Sequence, residues 1–577
     1  MRYRADGMGK MSDSAPSFDV DAVVIGSGFG GSVSALRLRE KGYSVVVLER
    51  GKRYLARDFP ATNWDLRKSL WIPLAKCFGI LRLSLFSDVF VLSGAGVGGG
   101  SLVYANTLYV PPRTFFRSGP WATMQDWEAV LAPHYRTAQF MLGVTQNVFE
   151  GEPDQVLSEI ATELGKADTY VRTPVAVYFG KPGKRAPDPY FGGAGPERSG
   201  CTLCGGCMVG CRFDAKNTLD KNYLYFAEKL GAEVRPERSV VDIVALDGGG
   251  YEITHERSGA WFARDRQTLR AKKVVLAAGV LGSVKILLEA KERGRLPNLS
   301  SALGGQVRTN SEAILGVDAK APKESYAKGI AITSSFHPDE HTHVEVVRYS
   351  EGSDALVPLS TLLTDGGGKL PRVLRWLGNV ASSPLTWMRS LWPFGRAKRG
   401  IFLLVMQTLD NSLALKLRRR WTSFFTKSLD TERGGGAPNP TYIPLGNEIA
   451  RVFAGKVKGT AYSSILEVLF DVPTTAHILG GAAIGPSPRE GVVDEHNEVY
   501  GHPGLYVCDG SMVPANLGVN PSLTITALTE HAMSHLPVNE GQERRPALDD
   551  AFVEERVAEI EALAKERNNR SLQRYGS

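Results

Sequence analysis

Apolar and polar residues are most regularly ordered between Phe18 and Arg50. An apolar run from Asp21 to Ile25 predicts a strand, because short β-branched stretches bounded by glycine favour extended backbone. Gly26-Ser27-Gly28-Phe29-Gly30-Gly31 follows at once. Val33, Leu36 and Leu38 then recur among polar residues in a helical pattern, and a second apolar run from Tyr43 to Leu48 ends on Glu49. Strand, glycine turn, helix, strand and acid is the order of a dinucleotide-binding unit. The first glycine permits the tight turn, the second lets backbone approach a pyrophosphate, and the third lets helix and strand pack closely. Gly26, Gly28, Phe29, Gly30 and Gly31 are therefore expected to bind a cofactor at the positive end of the helix dipole. Glu49 stands where an acid accepts hydrogen bonds from a ribose. A glycine turn without a ligand is the competing reading, and the complete strand–helix–strand context argues against it.

Further along, the pattern predicts fewer elements with equal clarity. Trp64 to Leu92 reads as a core-facing helix followed by a strand, or as a lid over an apolar site that touches a membrane surface. Val240 to Glu256 reads as a hairpin whose first strand lays backbone near Val240 against an adenine. Leu505 to Val507 reads as a strand leading into Asp509-Gly510. The closing stretch from Asp549 reads as an amphipathic surface helix.

Composition changes this picture little. With 577 residues, 43% of them hydrophobic, the chain is large enough for two lobes. A net charge of +7 is modest for this size, and no basic patch with interleaved aromatics points to nucleic acid. The first 17 residues lack an apolar signal core and are expected to be disordered. No run of eighteen or more apolar residues predicts a membrane span, so a cytoplasmic protein, with peripheral membrane contact as an option, is expected.

Ser93 to Ser101, SGAGVGGGS, concentrates glycine between strand-like flanks. Glycine costs backbone entropy, so such a loop makes sense where main chain lies flush against a flat ligand. Here the chain resembles the glucose–methanol–choline (GMC) oxidoreductases, and within them the cholesterol oxidases. The likeness rests on the opening unit, on GVGGGSLV (Gly96 to Val103) and on KNTLDKNYL (Lys216 to Leu224). It continues through VVLAAGVLGSVKILLEA (Val274 to Ala290), AHILGGAAIG, and GLYVCDGSMVPANLGVNPSLTITAL.

The resemblance implies FAD and an α/β fold (α+β overall). A doubly wound Rossmann-like FAD-binding domain would hold an inserted substrate domain built on a large mixed β-sheet. The segments would be 18–110, 201–310 and 471–537 for the FAD-binding domain, the second of these carrying a cysteine motif. Residues 111–200 would form a cap and 311–470 the substrate-binding domain, before a C-terminal helix and tail at 538–577. The cofactor-binding set would include Gly96, Gly98, Gly99, Gly100, Ser101, Asn106, Val240, Gly279, Asp509, Gly510, Asn520 and Pro521. His477 would take a hydroxyl proton, since a base titrating near working pH suits alcohol oxidation. Asn520 would hold the alcohol oxygen. Glu345, a carboxylate inside the apolar strand pattern Val344 to Val347, is either paired or placed for chemistry. By resemblance it moves a proton in a double-bond isomerisation. The expected substrate is an apolar, sterol-like alcohol. A long-chain alcohol or sugar substrate, a non-catalytic flavin- or lipid-binding role and an NAD-dependent dehydrogenase are the alternatives.

Cys201, Cys204, Cys207 and Cys211 follow the C-x2-C-x2-C-x3-C spacing of iron–sulfur ligand runs. The spacing admits a [4Fe-4S] or [3Fe-4S] cluster, a closed zinc site, or metal-free cysteines, reduced or disulfide-bonded. A cluster would imply an electron-acceptor protein or quinone as partner. Cys77 and Cys508 are expected to be small core residues. His337, His341 and His343 read as a metal-binding group or, given their loose polar spacing, as a solvated loop, the latter favoured. Arg418 to Arg420 with Trp421, Phe424 and Phe425 read as a charged hairpin edge or a lipid-facing surface.

Overall fold

The computed structural model describes residues 17–419, 427–435 and 437–575. Arg420, Trp421, Phe424 and Phe425 of the basic–aromatic edge, and the first 16 residues, lie outside the described residues. Two seven-stranded sheets organise the chain. Val20–Ile25 pairs in parallel with Val45–Leu48 on one side and with the end of Gln267–Leu276 on the other. Glu233–Arg235 extends this sheet beyond Val45–Leu48, and Leu505–Val507 runs parallel to Val274–Leu276. The Arg238–Ala245 and Tyr251–Arg257 hairpin completes it. Ala22, Val23, Val24 and Val47 are wholly buried because parallel strands are covered on both faces. The helices Phe29–Glu40, Trp127–Met141 and Ser522–Ser534 share one apolar core with these strands. Four distant stretches of sequence thus build one doubly wound, dinucleotide-type unit, the helix Trp127–Met141 joining it from the segment expected to form a cap.

The second sheet runs Ser360–Leu362, Thr460–Ser464, Ala313–Asp318, Gly400–Gln407, Thr342–Val347, Ile332–Phe336, Val171–Arg172. Its period of two divides its side chains. Ala313, Leu315, Val317, Val344, Val346, Leu403 and Val405 pack under the helices Glu152–Glu163 and Pro444–Lys456. Ile314, Gly316, Val347, Phe402 and Leu404, one residue out of step, face the large cavity between the sheets.

The Trp64–Leu92 stretch departs from expectation. Only Leu66–Ser69 is α-helical, Pro73–Ala75 adds a single 3-10 turn, and the rest forms short strands at Trp71–Ile72, Cys77–Phe78, Leu81–Leu85 and Phe90–Gly94. Pro73 stops the helix, because its ring clashes with a preceding carbonyl. Gly79 sits so close to the Ser69 carbonyl carbon that a Cβ would lie 2.3 Å from it. Cys77 is half-exposed on this hairpin rather than in the core, whereas Cys508 is fully buried. His343 is also buried, stacked 4.4 Å from His337, so of that trio only His341 is exposed. The alternation of the Thr342–Val347 strand turns His343 inward with Glu345. The C-terminal helix Asp550–Tyr575 lays Phe552, Val553, Val557 and Ile560 against the first core. Among the described residues no helix is long and apolar enough to cross a membrane.

Candidate active site

A cavity of about 1100 Å3 begins at the glycine turn and ends against the second sheet. At its first end, Gly26 has φ +100°, and a Cβ there would lie 2.2 Å from the Ala277 carbonyl oxygen. That position admits only glycine. Gly31 sits behind it, where a Cβ would meet the Gly26 oxygen at 2.0 Å, so helix and strand close tightly. Gly28, by contrast, opens on free space along the cavity wall with Phe29 and Gly30.

Three helices point uncapped N-termini at this space: Phe29–Glu40 after Gly28, Val280–Glu292 after Gly279, and Ser522–Ser534 after Pro521. None has a side-chain cap, so their first N–H groups remain available to an anion. Gly99, Gly100, Val240, Gly279, Asp509, Gly510, Asn520 and Pro521 line the same wall. Burial pushes the Asp509 carboxyl up, against hydrogen bonds from Ser283 and Ser511. Glu49 also lines the cavity, and its carboxylate accepts from Ser27 N, Ser27 Oγ and Gly51 N, bracing the glycine turn.

Gly96, Gly98, Ser101 and Asn106 lie behind this wall rather than on it. The Gly98 amide donates to Ser27 Oγ, and Ser101 Oγ donates to the Gly98 carbonyl and accepts from Leu219 N. Gly96 leaves no room beside Tyr54 and Leu102. Asn106 is wholly buried at φ +70°, its side-chain amide beside the Cys207 thiol.

At the far end four polar side chains meet. His477 follows the Thr474–Thr475 strand and lines the cavity with Asn520. Glu312, just before Ala313–Asp318, was not anticipated from sequence. Its Oε2 accepts from Thr475 Oγ1 at 2.7 Å and Ala476 N at 2.9 Å, and lies 3.4 Å from His477 Nδ1. Its second oxygen is buried without a partner. Asn520 Nδ2 donates to Glu345 Oε2 at 3.3 Å, leaving Asn520 Oδ1 unpaired. Glu345 stands one side chain back from the cavity. Burial pushes its carboxyl up to about 8, with a smaller contribution from the Glu312 charge, while the Asn520 bond opposes the shift. Buried polar atoms without partners are rare in folded proteins, so unpaired atoms on Asn520 and Glu312 beside a cavity fit a bound reactant.

The four-cysteine loop flanks this cavity. Met208 and Val209 line the cavity itself, while Cys201, Cys204, Cys207 and Cys211 line a separate void of about 20 Å3. All four are free thiols, and Leu203 N donates to Cys201 Sγ at 3.4 Å. Burial pushes the Cys207 thiol up to about 11. Among the described residues no set of three cysteine, histidine or acidic side chains converges as a metal-ligand group. The buried Lys216 ties the loop to the glycine loop, donating to the carbonyls of Cys207, Leu102 and Tyr104.

A dinucleotide cradle joined to a polar cluster at an apolar wall defines a flavin-type oxidoreductase. Comparison with known proteins makes this specific. Residues 453–529 match the family model described as GMC oxidoreductase, and residues 24–57 match the NAD(P)-binding Rossmann-like domain. A cholesterol oxidase of Mycobacterium tuberculosis is 48% identical, over 92% of this chain and 94% of that protein. A cholesterol oxidase of Acinetobacter baumannii is 46% identical, over 90% and 95%. The crystal structure of pyridoxine 4-oxidase from Mesorbium loti shares the fold, with a TM-score of 0.57 at 13% identity, covering 89% of this chain and 99% of that one. The chain belongs to the GMC oxidoreductase family and is an FAD-dependent enzyme.

Proposed function

We propose that the enzyme oxidises the 3β-hydroxyl of a sterol such as cholesterol. One observation carries this reading: the apolar wall of Ile314, Ile332, Val347, Phe402 and Leu404 leads directly to His477 and Asn520. A rigid apolar ring system suits that wall, and its single hydroxyl would meet the polar end. The two cholesterol oxidases at 46–48% identity support the same substrate class.

FAD fits the uncapped helix ends, open glycines and wall residues described above, and when bound would supply the acceptor for the carbinol hydride. His477 takes the hydroxyl proton. With Nδ1 turned to Glu312, Nε2 is the nitrogen left for the alcohol. Glu312 holds the ring and stabilises the imidazolium that forms, as a carboxylate does for a catalytic histidine. Asn520 holds the alcohol oxygen. Glu345 carries the proton of a 5-ene to 4-ene isomerisation, which requires Asn520 to turn aside.

Two finer readings accompany this one. The cysteine spacing supports an iron–sulfur cluster that would pass electrons to a protein or quinone. Binding would have to draw the four thiolates together, and the loop's place beside the cavity suits such a relay. A lipid surface is the second partner. Leu66 stands at the cavity wall and is half-exposed, next to exposed Trp64, which stacks on Phe394. Leu374 and Leu377 add exposed apolar surface from the helix Arg372–Ser382, none of whose residues is buried. Exposed apolar patches of this kind mark interaction sites. The test of the catalytic reading is His477→Ala, which should retain FAD and slow sterol-driven flavin reduction by about two to four orders of magnitude. Reduction at the wild-type rate would remove His477 from the reaction.

A further inference from the structure

Four of the ten histidines gather far from the cavity, at the opposite end of the helix Ser522–Ser534. His531 lies in its last turn and His535 directly follows it, in helical backbone. Their i, i+4 spacing places both rings on one face. His134, from the helix Trp127–Met141, meets His531 edge-on at 5.3 Å. His496, from the loop before Leu505–Val507, lies 4.1 Å from His535 and 6.0 Å from His531, ring centre to ring centre. No element of the proposed sterol chemistry uses any of them.

The decisive distance is between ring nitrogens. His531 Nε2 and His535 Nε2 face each other at 3.3 Å. Bonds of about 2.0–2.1 Å from imidazole to a tetrahedral ion place two ligand nitrogens about 3.3–3.4 Å apart. We propose that His531 and His535, completed by His496, form a binding site for a divalent transition cation such as Zn2+ or Ni2+. The pair is already set at ligand spacing. Among the described residues no third side chain converges on it, so His496, on the partly open side, turns its ring to complete the set.

The surroundings suit neutral ligands. His531 is almost fully buried against Trp127. Burial of that kind favours the uncharged imidazole. Neutral imidazole is the ligating form. Lys41 and Arg37 are the nearby cations. Lys41 donates to the carbonyls of Met533, Ser534 and Leu536, and Arg37 is paired with Glu530 and Glu40. Glu495 adds a negative charge acting on His535. A bound ion would pin the last turn of this helix to the 494–498 loop. It would thereby brace the helix whose other end presents Asn520 and Pro521 to the cavity.

The rival occupant of the gap is a shared proton in an N–H···N bond. Equilibrium dialysis of chelator-stripped holoenzyme against Ni2+ separates the two, since nickel favours imidazole over thiolate. The proposal expects one tightly held Ni2+ per chain and a higher thermal midpoint with the ion present. Affinity should fall at least about tenfold in His535→Gln and in His496→Gln, while cysteine-to-serine changes at 201, 204, 207 and 211 leave it intact. His535 and His496 are not core residues, so both variants should fold. Failure of the wild-type holoenzyme to hold nickel overturns the proposal, as does unchanged affinity in either histidine variant.

Discussion

Glu312→Gln probes the one group in the site that no sequence motif announced. The amide oxygen can still accept from Thr475 Oγ1 and Ala476 N, so the local fold should survive. What disappears is a negative charge 3.4 Å from His477 Nδ1. Two unit charges at that distance attract by about 5 kcal/mol at an effective dielectric of about 20, before desolvation is subtracted. His477 Nδ1 makes no hydrogen bond at this distance; one formed to Glu312 as the ring becomes cationic would be worth about 1.5–3 kcal/mol. If His477 becomes cationic in the transition state, losing that term slows the step by about 10- to 150-fold. Anaerobic stopped-flow measurement of flavin bleaching by cholesterol reads the step directly. The half-saturating sterol concentration should hardly move, because Glu312 acts on the ring rather than on the sterol. Wild-type reduction by Glu312→Gln, alongside a severely slowed His477→Ala, would refute the pairing.

Glu345→Gln should oxidise the 3-hydroxyl yet release the unconjugated 5-ene ketone, measured by product chromatography. In the wild type, burial keeps Glu345 protonated below about pH 8, so the conjugated fraction should rise as pH passes that value; a flat profile contradicts the role. Anaerobically purified protein should contain iron and acid-labile sulfide and should turn over faster with one-electron acceptors than with oxygen. Iron-free protein, and full activity after Cys201, Cys204, Cys207 and Cys211 become serine, would exclude the cluster. Replacing Leu374, Leu377 and exposed Trp392, which meets Phe394 edge-on, by serine should weaken sedimentation with sterol-containing vesicles by about tenfold or more while sparing turnover of detergent-dispersed sterol; equal sedimentation would exclude that face.

The dinucleotide unit was legible because its constraint is local. Gly26 and Gly31 stand where any Cβ would strike backbone, and such positions write themselves into a short motif. Glu345 was legible because a carboxylate interrupts an apolar strand. Glu312 was not, since its partner Thr475 lies 163 residues away, on a strand of a separate small sheet that pairs with Phe90–Gly94. The histidine cluster failed to register for the same reason, being assembled from two helices and a loop. The stretch from Trp64 to Leu92 misled because its apolar residues serve two surfaces. Leu81 and Leu83 line the cavity, whereas Leu74 and Leu85 face outward. A window of composition cannot separate those roles, although Pro73 and Gly79 already argued against a long helix.

The central claim is that FAD in this chain accepts the hydride of a sterol alcohol. Mixing the holoenzyme anaerobically with substoichiometric cholesterol tests it in one step. One flavin should bleach and one 3-ketosteroid should form per sterol consumed, with readmitted acceptor restoring the oxidised spectrum. A flavin that stays oxidised under cholesterol, yet bleaches with a long-chain alcohol or a sugar, would contradict it.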